Sequence, residues 1–140
     1  GHHLTPAQLK VMLRAKGLGR SLVVSDTVAL GGLAAGKYQT PIGGKVELRA
    51  DGFLAIDDGT GNYLAGAALP MTAAIPVLVN QVGLTLGEAV TLLTVAPGRI
   101  VEGRGVLAVG QPADLMAFHW DGSSARPEVA GVWLRGRSVV

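Results

Sequence analysis

The stretch "GRSLVVSDT", residues 19–27, ends an apolar run on an acid. Leu22, Val23 and Val24 have the character of a buried strand, and Asp26 follows them between two hydroxyl-bearing neighbours. A carboxylate carried into a core is costly unless it is paired, hydrogen-bonded or used. The C-terminal end of a strand in an α/β layer is also where loops converge and catalytic groups collect. Asp26 is therefore either an ordinary cap after a strand or a candidate general acid/base. The remaining chemistry-bearing side chains are few. His2 and His3 are adjacent and read either as an affinity-tag remnant or as ligands, and His119 beside Trp120 reads as structural. Three histidines, two of them adjacent, do not make a complete metal centre. Without cysteine there is no disulfide, thiol nucleophile or Cys-ligated zinc. No G-x-x-x-x-G-K-[ST], H-E-x-x-H or G-x-S-x-G occurs, and the glycines at 59 and 61 precede Leu64 where a dinucleotide fingerprint needs glycine.

The elements that must position these groups are legible from local signals. Thr5, Pro6 and Gln8 form a T-x-x-Q helix start, Leu9, Met12 and Leu13 mark its apolar face, and Gly17 stops it. A strand over Ser21–Ser25 is expected next, giving an α/β rhythm. From Gly31 to Asn62 the β-type pieces "KVELRA" and "GFLAI" lie between the turn signals "IGGK", "ADG" and "DDGTGN", which predicts a small antiparallel sheet wet on one face. A helix is predicted from about Pro70 to Val82, kinked or displaced by Pro76, and another from a Thr85–Glu88 capping box to a stop before Pro97. Two strand-like segments, "ADLMAFHW" and "GVWLRGRSVV", close the chain around the loop "DGSSARPEV".

Composition bounds the function classes. The 140 residues are 49% hydrophobic and the mean hydropathy is +0.40, as for a folded domain. No apolar run approaches the roughly 20 residues of a membrane span, and no leader is visible, so a cytoplasmic protein is the expectation. The net charge is +2 with scattered charges, and the cluster Arg99, Arg104, Arg135 and Arg137 reads as a solvated face. Aromatic residues make up only 4%, which leaves little to stack bases, so neither nucleic acid nor membrane is an expected partner.

The order "GHHLTP", helix, "LVVSDT", then "DGFLAIDDGTGNYLAGAALPM" resembles the C-terminal part of the N-acetylglucosamine-6-phosphate deacetylase family, within the amidohydrolase superfamily. The stretch "TLGEAVTLLTVAPGRI" with "GVLAVGQPADLMAF" is similar to the closing segment of amidohydrolases generally. The resemblance implies an α/β fold in which this chain is the C-terminal portion of a metal-dependent (β/α)8 barrel with part of a small β-sandwich. Residues 1–30 would hold a barrel helix, the eighth strand and the catalytic acid. Residues 31–68 would be a β-rich insertion with a substrate loop, 69–101 the closing helices, and 102–140 the sandwich strands.

Carried over by position, Asp26 matches the catalytic acid, and Gly1, His2 and His3 match a D-G-x-H segment in which His3 contacts the substrate near its phosphate. Leu64, Ala65 and Gly66 match a substrate-lining loop. Two departures stand out: Ala67 where serine is expected, and Pro76 within the following helix. The implied cofactor is a divalent metal ion, zinc or iron, whose glutamate and histidine ligands lie outside this chain. The metal would activate water, and Asp26 would take its proton and return it to the leaving nitrogen. The implied partners are a sugar phosphate, the remainder of the same polypeptide and a second copy in a homodimer. A different amidohydrolase, such as a deaminase or cyclic amidase, would keep Asp26 without needing His3. A non-catalytic α/β module would need neither.

Overall fold

A computed structural model of the chain describes residues 2–41, 44–101 and 103–140. The first helix, α1, spans Pro6–Lys16 as the N-terminal signals predict, and it buries Leu13 while Met12 stays exposed. A single 3-10 turn, Leu18–Arg20, follows. The four-stranded meander that comes next is β1 (Gly36–Thr40), β2 (Gly44–Leu48), β3 (Phe53–Ile56) and β4 (Leu64–Ala67), antiparallel throughout and paired in that order. Its alternation is the predicted one. Val46 and Leu48 are buried while Lys45 faces solvent.

The turns are built by their own side chains. Asp51 Oδ1 accepts the Phe53 N–H at 3.0 Å, and Asp58 Oδ1 accepts the Thr60 N–H at 2.8 Å. The Thr60 hydroxyl and amide together hold the Asp58 carboxyl below its ordinary range.

The helical run 71–82, here α2, changes pitch twice: a 3-10 turn at Met71–Ala73, an α turn at Ala74–Pro76 and a π turn at Val77–Val82. Pro76 lacks the N–H that a regular ladder needs and crowds the preceding turn, which accounts for the change of register at that residue. The run still buries Ile75, Leu78 and Val82, and it ends at Gly83. Helix α3 (Leu86–Leu93) carries the complete capping box. It ends at Leu93, before Pro97 as expected. Pro97 itself lies in the first turn of a short helix, α4 (Val95–Gly98), where no N–H is required.

The last strands are β5 (Leu115–His119), β6 (Glu128–Leu134) and β7 (Arg137–Ser138). They pair antiparallel with one another in that order. The segment expected as one strand is broken at Arg135 and Gly136, both with positive φ (49° and 77°), the two-residue hairpin turn that matches strand twist. Asp114 holds this turn by accepting the Arg135 N–H at 2.7 Å and by pairing with Arg104.

Two units result. One is Gly1–Thr5 with Ser25–Met71; its core is Val46, Leu48 and Leu54, flanked by Val28, Leu30 and Tyr38. The other is Pro6–Val24 with Thr72–Val140; its core joins Leu13, Leu78, Val82, Ala89 and Leu92, with Leu9, Leu18 and Val23 packed against it.

The strand expected at Ser21–Ser25 does not form. The segment is extended, and Val23 N–H donates to the Leu92 carbonyl of α3 at 3.0 Å. A strand exists only through its neighbours, and among the described residues none runs alongside this segment. Val23 packs on the helical core, and Leu22 and Val24 point to solvent. No helix among the described residues is long and apolar enough to cross a membrane.

Candidate active site

Asp26 lies where the extended segment turns onto the edge of β4. It is not the buried acid that the apolar run suggested: its side chain is 79% exposed and needs no compensation for desolvation. Its backbone is unusual instead. Asp26 and Arg135 are the two non-glycine residues with positive φ among those described, and Asp26 has φ 50°. Aspartate tolerates the left-handed region better than most residues, though still at a cost. The next residue, Thr27, makes an isolated parallel bridge with Ala67. Val28 N–H then donates to the Ala67 carbonyl at 2.9 Å.

His3 Nε2 stands 3.8 Å from Asp26 Oδ2, an ion-pair distance too long for a direct hydrogen bond. Its side chain is 39% exposed, so one face remains open to a ligand. His2 is turned the other way. Its Nε2 meets the Asp51 carbonyl at 3.1 Å, and its ring stands edge-to-face on Phe53 with centroids 5.3 Å apart. The Arg49 guanidinium lies 4.9 Å from the same Phe53 ring and donates to the Gly61 carbonyl at 2.7 Å. His2 is thus an anchor within the sheet, and His3 is the member of the pair that faces the acid.

Leu64, Ala65 and Gly66 form strand β4, not the loop expected of them. The ladder pairs Leu54 with Gly66 and Ala55 with Leu64, so a register shift leaves Ala65 as the extra residue. Gly66 has φ 137°, and a Cβ there would fall 2.6 Å from Val28 Cγ1. The glycine is required because Val28 lies over it. Gly1 lies outside the described residues. Ala67, in the position where serine was expected, is buried.

Sequence reasoning thus named His3, Asp26 and Gly66, and the fold brings them together in one unit. It missed Thr27, Arg49, Phe53 and the Asp51 carbonyl. Each of these acts across a contact between residues remote in sequence, such as His2 and Asp51, 49 residues apart. No local signal announces such a contact.

Among the described residues no group of three or more His, Asp or Glu side chains converges as a metal site would. The His3–Asp26 pair alone does not fit a metal centre.

No protein-family model matches the chain. A curated relative from Bos taurus, an N-acetylglucosamine-6-phosphate deacetylase, is 30% identical over 123 residues, 84% of this chain and 28% of that protein. An N-acetylgalactosamine-6-phosphate deacetylase of Escherichia coli O157:H7 is 26% identical over 140 residues, 98% of this chain and 34% of the relative. In three dimensions the chain matches an N-acetyl-D-glucosamine-6-phosphate deacetylase of Mycobacterium smegmatis, solved as an aspartate-to-alanine variant in complex with N-acetyl-D-glucosamine-6-phosphate. The TM-score is 0.82 at 26% identity, covering 99% of this chain and 35% of that one.

The chain is similar to the N-acetylglucosamine-6-phosphate deacetylases. It spans only about a third of the length of these three relatives, and their similarity covers nearly all of it. The deacetylases it matches are hydrolases, and the helices and two small antiparallel sheets of this chain are consistent with a segment of such an enzyme.

Proposed function

We propose that these residues supply the proton-transferring acid and part of the substrate pocket of an amino-sugar 6-phosphate deacetylase. The observation that carries the reading is the approach of His3 to Asp26 at 3.8 Å. A carboxylate beside a half-open imidazole, in a chain similar to deacetylases, suits hydrolysis of an acetamide. Asp26 accepts a proton from the attacking water and delivers it to the departing nitrogen. An amine leaves poorly as an anion, so the second transfer is needed for turnover. The carboxylate is regenerated at the end of each cycle. His3 contacts the sugar phosphate, and the backbone of Leu64, Ala65 and Gly66 borders it.

The residues of this chain do not fit the divalent metal ion that the resemblance implies, so the proposal assigns its ligands to polypeptide outside these 140 residues. In the same reading residues 1–30 contribute the last stave of a (β/α)8 barrel and 69–101 its closing helices. Residues 31–68 are a β-rich insertion, and 102–140 belong to an accompanying β-sandwich. The extended but unpaired state of 21–25, with Leu22 and Val24 uncovered, supports that reading of the first segment.

The test is Asp26→Asn in the intact polypeptide. The substitution keeps shape and removes only proton transfer, so kcat for N-acetylglucosamine 6-phosphate should fall by about a hundredfold to ten-thousandfold. The dissociation constant of the substrate should stay within about threefold of wild type, since binding and proton transfer are separable. Near-normal turnover would overturn the assignment. The relatives include deacetylases of both N-acetylglucosamine 6-phosphate and its galactosamine counterpart, so kcat/KM compared on the two sugars decides the epimer.

A further inference from the structure

Asp26 is exposed and carries a positive φ, a combination that would leave an acid free to wander unless something beside it were fixed. The residues that follow it are fixed by three separate contacts. Thr27 Oγ1 donates to the Leu69 carbonyl, 42 residues away. The Thr27 backbone bridges Ala67, and Val28 N–H donates to the Ala67 carbonyl at 2.9 Å. Val28 Cγ1 occupies the space above Gly66 that any larger residue would fill. All of these partners lie within residues 66–69, on β4 or just after its end at Ala67. Catalytic geometry is intolerant of displacement, and a misplacement of about 1 Å can cost about a hundredfold.

We propose that Thr27 is a positioning residue: its hydroxyl, bonded to the Leu69 carbonyl and backed by Val28 over Gly66, holds the Asp26 carboxylate in register for proton transfer. The proposal rests on the reading of Asp26 as the proton-transferring acid. It assigns Gly66 a task distinct from lining the pocket, namely to leave room for Val28. Serine retains the hydroxyl and can hold the position; valine retains the shape of threonine without the hydroxyl and cannot.

The experiment is a double-substitution cycle in the intact polypeptide with N-acetylglucosamine 6-phosphate. Thr27→Val should lower kcat by about tenfold to a hundredfold with KM within about twofold, because the loss concerns orientation and not binding. Thr27→Ser should stay within about threefold of wild type. In the Asp26→Asn background, Thr27→Val should cause no further loss of kcat, since there is then no carboxylate to orient. A residue that merely supported the fold would lower turnover equally in both backgrounds, and that result would overturn the proposal. Wild-type turnover in Thr27→Val with Asp26→Asn slow would overturn the positioning role alone, and full turnover in Asp26→Asn would overturn the reading of Asp26 and this inference with it. If Thr27→Val does not accumulate folded, Val28→Ala loosens the same register from the side that faces Gly66. It should again lower kcat with KM retained in the Asp26 background only, and loss in both backgrounds would count against the proposal.

Discussion

At the scale of single residues, the division of labour between two adjacent histidines follows from which neighbours each one meets. His2 is committed to Phe53 and the Asp51 carbonyl, while His3 keeps an open face beside Asp26. If His3 reads the substrate and not the chemistry, its loss should remove binding that the ground state and transition state share. His3→Ala is therefore expected to raise KM more than it lowers kcat. The rise should be larger for the phosphorylated sugar than for the unphosphorylated one. Steady-state kinetics on both substrates checks this, and equal effects would argue against a phosphate contact. Asp26 was visible in sequence because an acid ends an apolar run. That it stands exposed in a left-handed conformation was not, because burial and φ depend on where the chain goes next.

At the scale of elements, the clearest case of local control is the start of α3. Thr85 N–H and its hydroxyl each reach Glu88 Oε2 at 2.8 Å, and Glu88 N–H returns a bond to Thr85 Oγ1 at 3.2 Å. The Thr85 amide, then its hydroxyl, hold the Glu88 carboxyl below its ordinary value of 4.5. A carboxylate whose folded pKa is depressed adds stability above its unfolded pKa and loses it as pH falls through the folded one. The protection of the amides at the N-terminus of α3, that is, the slowing of their exchange relative to the unfolded chain at the same pH, should therefore be greatest near neutrality and fall as the pH drops below about 4.5. Glu88→Gln should remove that part of the pH dependence, which exchange measured across pH 3–7 would reveal. Thr85→Ala should lower stability by about 1 kcal/mol through the lost cap, read as a shift of the urea midpoint. The composite helix α2 shows the limit of such reading. Pro76 announces a disturbance, but not that the chain answers with 3-10, α and π turns in succession.

At the scale of the whole molecule, much apolar surface remains uncovered. Ile100, Val101, Val106, Leu107 and Val109 are all exposed along one ten-residue stretch, with Leu107 at 81%. Leu22 and Val24 add to it, as do Met116, Val129 and Leu134 on the C-terminal sheet. Scattered apolar residues on a surface are ordinary, but contiguous ones mark a surface that is covered by something else. The outer strands β1, β5 and β7 each have a single ladder partner and can pair with another chain. Residues 1–140 produced alone should therefore self-associate, with a sedimentation coefficient that rises with concentration. A sharp monomer boundary across a hundredfold range of concentration would contradict this.

What these 140 residues determine by themselves is whatever is settled within one or two turns of chain. The cap at Thr85 and the Asx-type turns at Asp51 and Asp58 close bonds between residues at most a few positions apart, so local chemistry dictates them. Strand pairing and the site belong to the other class. The loop read into Leu64, Ala65 and Gly66 became a strand because β3 lies beside it, and the strand read into Ser21–Ser25 did not form because none of the described residues runs alongside it. His3 meets Asp26, and Thr27 reaches Leu69, only after the intervening chain has closed. Closing a long loop costs entropy that packing elsewhere in the molecule must offset. Which distant groups meet is therefore decided by the cores on which they are carried, and for this site that means the sheet holding Val46, Leu48 and Leu54.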